Sequence, residues 1–367
     1  MQITYEAHTL QPVLEVAQFA VRKRSALPIL NCALAIPNSY DGTLTLTVNS
    51  LEQAVTVTVP VLTDGNEPSV LPVLPVARLN SLLSGTVVMT AQQERIHVRC
   101  GQAEYEIATF GSADEYPPTK ETPTVLTAVP TRLLLELFGQ VSYAISKETL
   151  RPVLTGVRVV FENDMLAAAA TDTHRLVYKR VQLPTPVAER YAMTVPAEAF
   201  ALLQRVYALT DSDSCEVCIG EDCAAFRLQH GCVWTQLLVE PYPNWERVIP
   251  EGARLTVVAQ RNTLLERLRR ISIAAPETQK IYLDFKEDAL TVHTRGDQFT
   301  KAEETMELIT PPQEPIELAI NINYLTQAIK GFGGETITME ITEPLRPIKV
   351  YDNDPAMHAA VIMPMAP

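Results

Sequence analysis

One pattern runs three times through this chain of 367 residues, and it constrains the fold more than any single motif does. Each pass starts with an amphipathic helix, goes on through a strand, a polar turn and a second strand, and later reaches a shorter helix. The spacing predicts the first helix over 10–21, where Leu10, Val13, Leu14, Ala17 and Val21 share one face. Its counterparts are predicted over 131–145 and 261–275, the last with Leu264, Leu265, Leu268 and Ile271 as its stripe. The strand–turn–strand passages are 33–36 with 43–48, 156–161 with 165–170, and 281–285 with 289–293. Their turns are Asn38-Ser39-Tyr40-Asp41-Gly42, Glu162-Asn163-Asp164 and Lys286-Glu287-Asp288. Alternation in Thr43-Leu44-Thr45-Leu46-Thr47-Val48 marks a strand with one buried face.

The shorter helices are predicted over 76–83, 197–206 and 322–329. Pro75 and Pro196 stand in front of the first two, and Asn321 is placed to cap the third. The fold class is therefore α+β, three copies of one domain with two helices packed on antiparallel sheet. Polar, Pro- or Gly-bearing stretches at Glu121-Thr122-Pro123 and Pro250-Glu251-Gly252 divide the chain into domains 1–121, 122–250 and 251–367.

Charge and cysteine usage narrow the function classes. With 30 Lys and Arg against 43 Asp and Glu, the net charge of −13 excludes a uniformly basic nucleic-acid binder. The basic residues are clustered instead. Arg22, Lys23 and Arg24 close the first helix; Arg132, Lys147 and Arg151 flank its counterpart over 131–145; Arg261, Arg267, Arg269 and Arg270 crowd the one over 261–275. Arg78, Arg205 and Lys330 lie on the shorter helices. Arg267 and Arg270 fall opposite the Leu264/Leu268/Ile271 stripe, so one face packs and the other presents charge. Such contacts address phosphate and carry no base readout. A solvated helix face is the plain alternative for any one of them, and recurrence in all three repeats argues for a shared surface.

Cys215, Cys218, Cys223 and Cys232, with His230 nearby, invite a zinc reading, but a second CxxC is absent. The strand-like Cys215-Glu216-Val217-Cys218 sends residues three apart to opposite faces, which favours free thiols and no metal. The chain has no GxSxG, HExxH or P-loop, and Asp172-Thr173-His174 has no nucleophile beside it, so no catalytic residues and no cofactor are expected. No apolar run reaches the roughly 20 residues of a membrane span, and the N-terminus lacks signal-peptide character, giving a cytoplasmic expectation.

Four segments, in order, resemble the beta subunit of bacterial DNA polymerase III, the DNA sliding clamp family. Leu27-Pro28-Ile29-Leu30 matches an early LPIL, and Thr171-Asp172-Thr173-His174-Arg175-Leu176 is similar to the TDGHRL segment. Tyr242-Pro243-Asn244-Trp245-Glu246-Arg247-Val248-Ile249-Pro250 resembles FPDYxRVxP, and Val361-Ile362-Met363-Pro364-Met365 resembles the terminal VMPM. The resemblance implies a head-to-tail homodimer closing into a six-domain ring around double-stranded DNA, with helices lining the hole. It makes Arg22, Lys23, Arg24, Arg78, Arg132, Lys147, Arg151, Arg205, Arg267, Arg270 and Lys330 the DNA-facing candidates.

The same resemblance implies a peptide pocket between the second and third domains. Its partners would be the polymerase III catalytic subunit, the clamp loader, other polymerases and repair proteins that carry a short Gln- and Leu-containing motif. Carried over by position, the pocket comprises Leu154, Thr171, Thr173, His174, Arg175, Leu176, Pro243, Arg247 and Val248. Asn321, Tyr324, Leu345, Pro347, Val361, Ile362, Met363, Pro364 and Met365 complete it. The subunit contact would involve Tyr105, Ile107 and Ile273. Thr173 stands where the family has glycine, and Thr278 where some members have an aromatic residue. Gln102 and Glu104 stand where some relatives are basic, facing acidic Glu303 and Glu304, so an apolar dimer contact is expected. A clamp-derived interaction scaffold that never encircles DNA is the alternative reading.

Overall fold

The computed structural model describes residues 1–21, 27–92, 94–119, 123–275, 277–295 and 301–366. Arg22, Lys23 and Arg24, and the boundary residues Glu121 and Thr122, lie outside them. Among the described residues the α-helices are α1 (Ala7–Ala20), α2 (Val73–Asn80), α3 (Thr131–Val141), α4 (Ala197–Thr210), α5 (Arg261–Ile271) and α6 (Ile322–Gly331). Contacts gather the chain into two units. One holds Met1–Leu135 with Val195–Leu237, and the other holds Glu136–Thr194 with Leu238–Pro367.

In the first unit an eight-stranded antiparallel sheet runs in the order Val125–Pro130, Ser214–Ile219, Cys223–Leu228, Gly231–Gln236, Gln53–Pro60, Thr43–Asn49, Cys32–Asn38, Ser69–Pro72. Its seam sets Val233 opposite Val55 and Trp234 opposite Ala54, joining strands far apart in sequence. A second sheet orders Leu62–Thr63, Gln2–Glu6, Thr86–Gln92, Arg95–Cys100 and Ala103–Ala108. α1 buries Leu10, Val13, Leu14 and Ala17, the predicted stripe, and packs on α2 and α4.

α2 begins three residues earlier than the proline signal predicts. Pro72 is its N-cap and Pro75 lies within the first turn. A first-turn proline lacks only an N–H that the helix would leave unpaired, so Pro75 ends nothing there. α3 and α5 are shorter than predicted because each passes into a 3-10 turn, Ser142–Ala144 and Ser272–Ala274.

The second unit repeats the plan. Its eight-stranded sheet runs Tyr191–Pro196, Gly156–Glu162, Met165–Thr171, Arg175–Gln182, His358–Ile362, Ile348–Tyr351, Thr336–Ile341, Leu255–Gln260. A four-stranded sheet orders Glu303–Glu307, Ala289–His293, Lys280–Lys286 and Ile316–Asn321. α5 buries Leu264, Leu268 and Ile271. Asn321 caps α6 as predicted, its side-chain oxygen accepting from the N–H groups of Asn323 and Tyr324. Strand Met165–Thr171 buries five consecutive residues, Leu166 to Ala170. It lies mid-sheet, and Ala169 packs under a cluster of aromatic residues on one face.

Candidate functional site

That aromatic cluster floors a cleft in the second unit. Ala169, Tyr178 and Ala359 form one row across three strands, and Thr171, Leu176 and Val361 form the next. The two alanines leave space above the sheet, and Trp245 fills it, its ring 5.3 Å from that of Tyr178. Trp245 reaches this position from the 3-10 turn Trp245–Val248, which follows the last strand of the first unit's sheet. Arg180 braces the stack: its guanidinium lies 5.4 Å from the Tyr178 ring and 5.5 Å from Trp245, and pairs with Glu246 at 3.1 Å.

Beside this floor opens a cavity of about 230 Å³, lined mainly by apolar atoms. Ten of the predicted pocket residues line it: Leu154, Thr171, Thr173, Arg175, Leu176, Pro243, Val248, Pro347, Val361 and Met363. Asn244 and Trp245 line it too, as does Arg151, which the sequence assigned to DNA. An apolar floor with a few polar groups at its rim suits the anchoring side chains of a short peptide. Met363 is exposed at the edge, and its N–H donates to the His174 carbonyl, so the C-terminal segment is tied to the turn that forms the opposite wall.

That turn is built around Asp172. Its Oδ1 accepts from the backbone N–H groups of His174 and Arg175, and its Oδ2 accepts from Arg175 Nε at 3.0 Å. The side chain at position 173 meets a left-handed backbone, φ 76°, where the resembling family carries glycine. Arg175 also donates to the Tyr143 carbonyl and to Gln327. Beyond the cavity, His174 stacks on Tyr324 at 6.3 Å between centroids. This makes an aromatic shelf next to the cleft, and Asn321 caps the helix that carries Tyr324. Burial from solvent pushes the Tyr324 phenol up, so it stays a neutral hydrogen-bonding group.

Of the remaining predicted pocket residues, Arg247 and Leu345 are exposed and Ile362 is fully buried in the sheet. Pro364 and Met365 are half-buried, with the Met365 N–H donating to the Ala319 carbonyl. None of these five lines the cavity.

Among the DNA-facing candidates, Arg78, Arg132, Lys147 and Lys330 are exposed. Arg205 is also exposed, with its guanidinium 4.1 Å over the Phe19 ring. Arg267 and Arg270 both hydrogen-bond to the carboxylate of Glu304. Of the dimer candidates, Tyr105 and Ile107 lie on Ala103–Ala108, the outer strand of the five-stranded sheet. Ile273, in the turn after α5, is 85% exposed.

The cysteines behave as the strand pattern predicts. Strand pairing puts Cys218, Cys223 and Cys232 on one sheet face and Cys215 on the other. All four are free thiols, and burial raises the Cys215 and Cys232 thiols above their ordinary range. Among the described residues, no group of three metal-ligating side chains converges.

Comparison with known proteins agrees with this architecture. The family profile described as DNA polymerase III beta subunit, central domain, matches residues 128–244, and the profile for its C-terminal domain matches 246–366. The beta sliding clamp of Pseudomonas aeruginosa is 26% identical, with 100% of both chains covered. The crystal structure of the Bacillus subtilis DNA polymerase sliding clamp superposes with a TM-score of 0.93 at 22% identity, covering 100% of this chain and 99% of that one. A Pseudomonas aeruginosa sliding clamp solved bound to griselimycin superposes with a TM-score of 0.91 at 23% identity over 100% of both chains. The chain belongs to the family of bacterial DNA polymerase III beta subunits, the DNA sliding clamps.

Proposed function

We infer that this chain is a DNA sliding clamp: it closes into a ring around duplex DNA and tethers the replicative polymerase there. Three domains, 1–121, 122–250 and 251–367, form each subunit, and two subunits meet head to tail. The observation that carries the docking half of this reading is the apolar cleft over Leu176, Val361 and Trp245, walled by the Asp172 turn and the Met363 segment. The polymerase III catalytic subunit, the clamp loader and repair proteins insert a short Gln- and Leu-containing segment into it.

The basic side chains on α2, α5 and α6 and beside α3 carry the other half. On a protein of net charge −13, they concentrate attraction for phosphate on helix faces and leave the rest repulsive. The ring closes where the outer strand bearing Tyr105 and Ile107 meets the partner's Ile273 region. No reaction is catalysed. Asp172 is fully engaged as a turn acceptor, which leaves His174 without a carboxylate to orient it as a base. The protein works in the cytoplasm, and among the described residues no helix is long and apolar enough to cross a membrane.

Retention on covalently closed circular DNA, compared with the same DNA after linearisation, tests the ring. Loss of retention on cutting the circle is the expected result. Equal retention on both forms, or none on either, would leave the peptide-docking scaffold as the better reading.

A further inference from the structure

α5 sets Arg267 and Arg270 one helical turn apart, Arg267 half-buried beside the buried Leu264 and not opposite it as predicted, and Arg270 exposed. Both guanidiniums close on a single carboxylate. Glu304 Oε1 accepts from Arg270 Nε at 2.6 Å, while Oε2 accepts from Arg270 Nη2 at 2.6 Å and Arg267 Nη1 at 2.8 Å. The Arg270 hydrogen bonds, reinforced by Arg267, hold the Glu304 carboxyl down at about 2, so it is ionised at any physiological pH.

A planar anion taken by one arginine fork and a second guanidinium is also how arginine receives phosphate. Arg267 Nε is buried with no hydrogen-bond partner, a donor that this carboxylate leaves unused. A phosphate brings more oxygens than a carboxylate. Glu304 itself comes from Glu303–Glu307, the outer strand of its sheet among the described residues, against which α5 packs.

We propose that Glu304 occupies a phosphate site on α5, so that the DNA backbone gains Arg267 and Arg270 only by displacing this carboxylate. The proposal rests on the reading that the outer face of α5 meets duplex DNA. Its consequence is a grip made by exchange. One anion leaves the arginines as another arrives, so the contact adds little net attraction and gives the ring little reason to stall.

The test uses the full-length protein and a fluorescent short linear duplex, with binding followed by anisotropy across a potassium chloride series. Glu304→Gln is expected to bind about tenfold tighter, because two charge-assisted donors are released to the phosphate. Its log–log salt dependence should steepen by about one unit, the share of one further phosphate contact. Replacing both Arg267 and Arg270 by Gln should erase the whole gain in the Glu304→Gln background, and should weaken native binding by a clearly smaller factor than it weakens the Glu304→Gln protein. Glu307→Gln makes the same charge change on the same strand and sets the through-space baseline. Thermal melting reports whether each variant folds. Should Glu304→Gln fold poorly, Glu304→Asp keeps the charge, shortens the arm and is likewise expected to raise affinity.

Equal affinities for the Glu304 and Glu307 variants would overturn the proposal. So would a double-arginine variant that weakens native binding as much as it weakens the Glu304→Gln protein. Retention of the native protein on closed circular DNA separates the two levels. If it is retained while the Glu304 variants change nothing, the exchange alone falls; if it is not retained and no variant binds, the DNA-facing reading of α5 falls with it.

Discussion

The Arg175 guanidinium lies 4.5 Å over the ring of Tyr324, and its Nε donates to Asp172 at 3.0 Å. A single side chain thus couples the turn on one side of the cleft to the helix that carries the aromatic shelf. Arg175→Lys keeps the charge but loses the planar fork and the stacking. A loss of about tenfold in affinity for a Gln- and Leu-bearing peptide is expected, since one charge-assisted contact network is removed. Isothermal titration calorimetry at matched salt reads it, and unchanged affinity would mean the peptide never approaches this wall.

Trp245 combines two roles that a substitution would lose together. It is buried against Ala169, Tyr178 and Ala359, and it lines the cavity. Trp245→Ala should cost about 3–5 kcal/mol of stability, the usual range for emptying an aromatic core site. Urea denaturation measures that, and peptide titration of the folded fraction should show binding abolished.

Thr173 carries a side chain on a left-handed backbone, φ 76°. A β-branched residue there costs of order 1–3 kcal/mol that glycine does not pay. Glycine recovers only part of this, because it also gains freedom when unfolded. Thr173→Gly is expected to raise the melting temperature by a few degrees, as read by differential scanning calorimetry. A lower melting temperature would show that the Asp172 turn holds Thr173 without strain.

His358 makes the second unit sensitive to mild acid. Burial, with Lys179 adding to it and Asp352 opposing, pushes the imidazole down to about 4 from 6.5. The ring packs 4.6 Å from Phe332, and its Nε2 is buried without a partner. The folded state therefore keeps His358 neutral where the unfolded chain already takes up a proton. Stability is complete above pH 6.5 and falls as pH drops toward 4, by up to about 3 kcal/mol in total. Urea midpoints at pH 7 and pH 5 should differ in the native protein and converge in His358→Leu.

The apolar dimer contact makes a separate expectation. Ile273 is largely exposed in the single chain, so Ile273→Asp should halve the mass seen by light scattering. Raising salt alone should leave the native mass unchanged, because apolar contact is not screened as surface ion pairs are. A dimer that falls apart in high salt would point to charge pairing instead.

Much of this was legible in the sequence because it rests on local periodicity. The Leu264/Leu268/Ile271 stripe, the Asn321 cap and the strand that splits Cys215 from Cys218 all depend on neighbours within a few residues. What could not be read depends on partners far along the chain. Nothing near Glu304 in sequence says that its carboxylate belongs to Arg267 and Arg270 rather than to a second subunit. Trp245 is not marked as a cleft residue by its sequence neighbours, because only the fold lays its connecting segment over Tyr178 and the two alanines. Arg151 stands near α3 in sequence, which marks it as a DNA-facing residue, while the chain turns it toward the cleft.

Strand His358–Ile362 joins Arg175–Gln182 on one side to Ile348–Tyr351 on the other, and the segment after it carries Met363. Without it, four strands of the second unit's large sheet lose their ladder to the other three, and the cleft loses Val361 and Met363. The strand that closes the sheet is therefore also the one that furnishes the cleft, and neither can be loosened while the other is kept.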